Sequence, residues 1–101
     1  LVKKRFSWVN ISRVSNAEFG IYAFWTKRFC VYVGLAKKQG FRTRLMQHYR
    51  GSHNEKLNLW LQSSVDIYFS TEVIEDFSTI ETMEKLRIKQ YSPLTNILLN
   101  S

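Results

Sequence analysis

The chain is short of the residues that mark many familiar site types. Cys30 is the only cysteine in 101 residues. That excludes an internal disulfide and a cysteine-rich zinc site, and it makes a reduced, intracellular setting the expectation. One proline and four glycines leave little room for long disordered or low-complexity segments. No apolar run approaches a membrane span, and the N-terminal stretch lacks the apolar segment of a signal peptide. No membrane partner is expected. A P-loop, a nucleotide-binding glycine fingerprint, HExxH and cysteine–histidine metal spacings are all missing. The carboxylates are too scattered for a two-metal site.

Acid is scarce in one half. Residues 1–50 carry eleven Lys/Arg against one acid, Glu18, whereas residues 51–101 carry four bases against seven acids. The net charge is +7 and the pI is near 9.8. A basic half beside a mildly acidic one favours a polyanionic partner, nucleic acid first. A solvated basic surface without a partner is the plain alternative.

Hydrophobic content of 45% and aromatic content of 15% suffice for the core of one domain. The chain divides into a short N-terminal extension (1–18) and a core (19–97). Phe6, Trp8, Val9 and Ile11 of the extension are expected to pack onto that core. The β-branched and aromatic stretches 19–25 and 29–34 predict two strands, and 65–73 a third. Helical spacing of Leu45 and Tyr49, with Gly51 as a stop, predicts a helix over 41–50. Ser52 with Glu55 and Ser78 with Glu81 have the spacing of capping boxes, the second opening a helix over 78–91 that Pro93 ends. The order β-β-α-α-β-α indicates a small α+β domain.

Four features carry chemistry. If residues 26–28 make a three-residue hairpin loop, Tyr22 faces Tyr32 and the two phenols converge. An ordinary stabilising aromatic pair is the alternative. Arg44 and His48, four apart, share one helix face. Arg44 lies near the helix start, where the dipole favours anions. Lys37, Lys38, Arg42 and Arg50 surround them, as phosphate contacts or as a solvated face. Glu84 falls between Ile80 and Ile88 on the apolar stripe of its helix, where an unpaired carboxylate is costly. Either Arg87 or a metal compensates it. Asn96 follows Pro93 in an extended tail.

Taken together, "GIY" (20–22), "YVG" (32–34), "RLMQH" (44–48) and "EKLRIKQYSPLTN" (84–96) resemble the motifs of the GIY-YIG endonuclease family. The tail is similar to the form seen in the bacterial excision-repair incision subunit. The nine residues between the first two motifs are one or two fewer than the family's common gap. The resemblance spans residues 20 to 96. It implies a twisted sheet of three antiparallel strands flanked by helices. Tyr22, Tyr32, Arg44, His48, Glu84 and Asn96 would gather on one side of it. It implies DNA phosphodiester hydrolysis with one Mg2+ or Mn2+ ion held by Glu84, in a repair, recombination or restriction setting. A cytoplasmic (bacterial) or otherwise intracellular location goes with it.

On that basis Arg44 pairs with a phosphate oxygen, a tyrosine acts on the attacking water and His48 passes the proton on. Tyr22 is the first choice for the base, with Tyr32 positioning, and Asn96 fixes a neighbour. Lys37, Lys38, Arg42, Arg50 and His53 contact the DNA backbone. A specificity domain or partner protein supplies selectivity. A non-catalytic nucleic-acid-binding module on the same scaffold remains the alternative.

Overall fold

The computed structural model describes residues 1–96. The final residue expected in the core, 97, lies outside them. Elements follow in the order β1 (Lys4–Arg5), α1 (Trp8–Ser12), β2 (Gly20–Trp25), β3 (Cys30–Ala36), α2 (Phe41–Arg50), α3 (Glu55–Gln62), β4 (Tyr68–Val73) and α4 (Ile80–Tyr91). The sheet is antiparallel, in the order β1-β4-β2-β3. It therefore has four strands, not the three expected. The addition is the two-residue β1, which pairs with β4. No helix among the described residues is long and apolar enough to cross a membrane.

β2 is buried at all six positions because both its faces are covered. Tyr22 and Phe24 join Ile11, Phe41, Leu45, Leu57 and Phe69 in the core beneath α1, α2 and α3. Ile21, Ala23 and Trp25 point the other way, to Ile80 and the half-buried Met83, Ile88 and Tyr91 of α4. Period-two alternation thus divides one apolar run between two cores. Of the N-terminal residues expected to pack inward, Ile11 is fully buried and Phe6 meets Phe24 edge-on, but Trp8 and Val9 are about half exposed.

The hairpin differs from the expected one. Trp25 pairs with Cys30, not Phe29, so the loop has four residues, Thr26–Phe29. The Thr26 hydroxyl accepts the amide hydrogens of Arg28 and Phe29, which closes the turn without glycine. Regular pairing from there would send Tyr32 to the α4 face. A bulge after Phe24 absorbs Val31, so that Phe24 pairs with Tyr32 and Tyr22 with Gly34. The extra residue returns Tyr32 to the Tyr22 face. The tyrosines are diagonal neighbours with ring centroids 6.2 Å apart, not directly opposed.

The register explains the glycine two residues from each tyrosine. A Cβ on Gly34 would lie 2.5 Å from both Cζ and the hydroxyl of Tyr22. Gly34 is the slot into which that phenol fits. Gly20 has φ +148°, and a Cβ there would meet the Glu72 carbonyl oxygen at 2.1 Å. The Gly34→Ala protein should lose about 1–3 kcal/mol of stability through overpacking against Tyr22. Urea denaturation measures this, and a wild-type midpoint would refute the slot.

Candidate active site

α2 is a ten-residue helix that buries Phe41, Leu45 and His48. Arg44 and His48, one turn apart, both reach the Tyr22 hydroxyl. Arg44 Nη2 donates to it at 3.0 Å, and His48 Nε2 lies 2.7 Å away. Tyr22 is wholly buried. Arg44 can only donate, so the phenol oxygen accepts from it and gives its single proton to Nε2. The imidazole then carries its hydrogen on Nδ1 and donates to Ser52 Oγ, 3.2 Å away. Burial, the Arg44 charge and His53 depress His48 to a pKa of about 4. It is neutral at pH 7. Burial, then Tyr32, pushes the Tyr22 phenol well above its usual value, while Arg44 opposes them.

Beside this hub lies a cavity of about 630 Å3, reached by Tyr32, Arg44, His48, Glu84 and Asn96. It opens past β3, an edge strand of the sheet. α2 comes from one layer and α4, bearing Glu84, from the other. The six residues were expected on one side of the sheet; instead the site wraps the β3 edge. Tyr22 stands behind the cavity and does not line it. The phenol with access is Tyr32. Desolvation, then the Glu84 charge, raises its pKa, while Arg44 and the Tyr22 hydroxyl lower it.

Glu84 is half-buried, and its carboxyl is raised chiefly by desolvation and next by Glu81. Among the described residues it makes no ion pair or hydrogen bond. Arg87, the expected bland partner, holds Glu72 with two bonds of 2.8 and 2.6 Å instead. Among the described residues no three His, Cys, Asp or Glu side chains cluster as ligands.

Asn96 is buried and pairs with the β3 edge. Its Nδ2 donates to Val33 O at 2.8 Å, and its Oδ1 accepts from Val33 N at 2.9 Å. The side-chain amide copies a strand partner and fixes the backbone next to Tyr32. Thr95 adds bonds from its amide and its hydroxyl to Val31 O.

The basic residues are less uniform than expected. Lys37 is paired with Glu81 at 2.9 Å. Arg42 Nε donates to Val14 O. Lys38 and Arg50 are exposed, and Arg50 and His53 reach the cavity. The expected Ser52 box does not form. Asn54 caps α3 by accepting from Leu57 N, and Ser52 serves His48. Asp76, not Ser78, caps the 3-10 turn that leads into α4. Gln47 was missed. Its Oε1 accepts from Arg44 Nη1 at 2.6 Å, and its position one turn after Arg44 was the available signal.

Comparison with solved structures finds the same fold. The GIY-YIG N-terminal endonuclease domain of UvrC from Thermotoga maritima, bound to its catalytic magnesium, is 26% identical with a TM-score of 0.68, covering 88% of this chain and 93% of that one. A point mutant of that domain with its divalent cation matches at 25% identity and the same TM-score, with 88% and 92% covered. No protein-family model and no curated protein matches the sequence. In fold and coverage the chain is similar to these GIY-YIG endonuclease domains, and its motifs stand in register with the GIY-YIG pattern.

The His48 environment predicts an acid-sensitive fold. An unfolded histidine titrates near its ordinary value of 6.5, and the folded one near 4. The unfolded state therefore binds the proton first. Stability contributed above pH 6.5 is lost as pH falls through the folded value. Between pH 7 and 5 the loss should be roughly 2 kcal/mol. Chemical denaturation at both pH values, compared with His48→Asn, isolates it; equal slopes would exclude His48 as the source.

Proposed function

We propose that the protein is a metal-dependent endonuclease that hydrolyses DNA phosphodiester bonds with one divalent ion. The observation carrying this reading is one cavity that holds a phenol, a guanidinium and a half-buried carboxylate that is in no ion pair among the described residues. The relatives supply support, since the solved domains are titled endonucleases with a catalytic divalent cation.

The donor set fits such an ion. Glu84 is an oxygen ligand held in no ion pair among the described residues; burial and Glu81 outweigh the opposing charge of Lys85, and that desolvation is what a cation would relieve. One protein carboxylate with the remaining shell open to water and phosphate suits Mg2+ or Mn2+. Held by Glu84, the ion supplies Lewis acidity toward the phosphate and the departing oxygen.

This chain's own residues do the rest. Tyr32, as its phenolate, takes a proton from the attacking water as the new O–P bond forms, and the strand's P–O bond breaks to release an alkoxide that is protonated from solvent. Arg44, with further N–H donors beyond those given to Tyr22 and Gln47, holds a non-bridging oxygen. Tyr22, closed off from the cavity, orients Arg44 by accepting its Nη2 hydrogen. His48, neutral, keeps the Tyr22 proton directed. Asn96 sets the Tyr32 backbone. Lys38, Arg50 and His53, with Arg42 and Lys37 beside them, contact backbone phosphates without reading sequence. Selectivity then falls to a partner protein or a further domain.

Supercoiled-plasmid nicking with Mg2+ or Mn2+ against EDTA tests the reading. The wild type should nick only with metal, and Glu84→Gln and Arg44→Ala should each lose about 100-fold or more. Tyr32→Phe should lose activity at unchanged stability, and Tyr22→Phe should lose both. Glu84→Gln should still bind DNA. Wild-type nicking no greater than that of Glu84→Gln removes the enzyme reading, and DNA binding without cutting leaves the non-catalytic module.

A further inference from the structure

Arg44 lines two cavities. The second, of about 420 Å3, is formed by Leu35, Lys37, Lys38, Gln39, Arg44 and Glu81. We infer that it is a second phosphate subsite, taking the phosphate next in line to the one that is cut. The inference rests on the nuclease reading of the first cavity and goes beyond it.

Three observations carry it. Arg44 lines both cavities, so an occupant of each would neighbour the same side chain. Successive phosphates of one strand stand in that relation. The charge in the second cavity is net positive: Glu81 is matched by Lys37 at 2.9 Å, which leaves Lys38 and Arg44 uncompensated. Finally, the loop that bears the lysines is tied to Arg44 through side chains. Arg44 Nη1 donates to Gln47 Oε1 at 2.6 Å, and Gln47 Nε2 donates to Gln39 Oε1 at 2.8 Å. Loose lysines on a solvated face have no such tether. The Lys37–Glu81 pair is surface-exposed and weakly held. A phosphate can draw Lys37 from Glu81 at small cost.

The test uses nucleotides that differ by one phosphate. Thymidine 5′-monophosphate and thymidine 3′,5′-bisphosphate are titrated into the whole chain at low salt in EDTA, by NMR and calorimetry. The bisphosphate should bind about tenfold more tightly, because its second phosphate engages a site already at hand. Only the bisphosphate should shift the amides of residues 35–39. Lys38→Glu should cut that advantage to about twofold or less, weakening bisphosphate binding several-fold more than monophosphate binding. Glu81→Gln should tighten bisphosphate binding about threefold by freeing Lys37, and Glu75→Gln, the same charge change outside the cavity, should not. Equal affinity for the two nucleotides, no binding of either, or a Lys38→Glu effect equal on both overturns the subsite. None of these readouts depends on cutting, so a failed plasmid assay and a failed subsite are distinct results.

Discussion

The arrangement depends on one buried hydroxyl. Tyr22 has no exposed surface, yet its oxygen meets a guanidinium and an imidazole. Burying a phenol unpaired would cost a few kcal/mol, and a guanidinium more. The buried phenol and imidazole are tolerable because each pairs with the other, and the half-buried Arg44 gives the phenol oxygen a second partner. Gly34 makes this possible by giving up its side chain to the Tyr22 ring. The polar centre of the molecule is thus built as part of the core. Its geometry is held by packing, not by loops.

The second constraint is the exposed edge of β3. An unpaired edge invites association with other strands. The tail after α4 covers it from Cys30 to Val33, through the Leu94 and Thr95 amides and the Asn96 side chain. Asn54, which caps α3, also donates to the Thr95 carbonyl. Tail, cap and strand therefore lock one another. The cavity forms where this seal stops and where α2 and α4, from opposite layers, both overhang the strand. That explains how a carboxylate on one face and a guanidinium on the other share a single opening.

Much of this was legible in the sequence for a physical reason. Arg44 and His48 lie four apart on a regular helix, and helical periodicity is enough to place them together. The tyrosines needed more. Their shared face depends on a bulge at Val31, and a bulge leaves no trace in composition, since Val31 is itself an ordinary strand residue. Two errors, a loop one residue too short and a missing bulge, left the face of Tyr32 correct and its partner wrong. β1 could not be found because two residues have no periodicity; the β4 edge creates that strand. Helix caps went astray because Ser52 and Asn54 were equally good candidates by type. Tertiary demand decided between them, with Ser52 taken by His48. Glu84 was found as an anomaly on its stripe, but Arg87 turned to Glu72 across the fold, which local spacing could not show.

The charges around Tyr32 have a logic that static geometry alone does not convey. As the protein stands, Glu84 raises the Tyr32 pKa while Arg44 lowers it, and burial raises it further. A phenol so placed is a poor base. On the proposed reading, compensating the Glu84 charge removes the main electrostatic opposition to phenolate and leaves Arg44 in favour. Water activation and metal loading are then coupled through one carboxylate. His48 cannot substitute for Tyr32, because its basic nitrogen is engaged with Tyr22 and its own protonation is held down near pH 4. On that reading, the same burial that keeps the hub rigid leaves the proton chemistry to Tyr32, which lines the cavity.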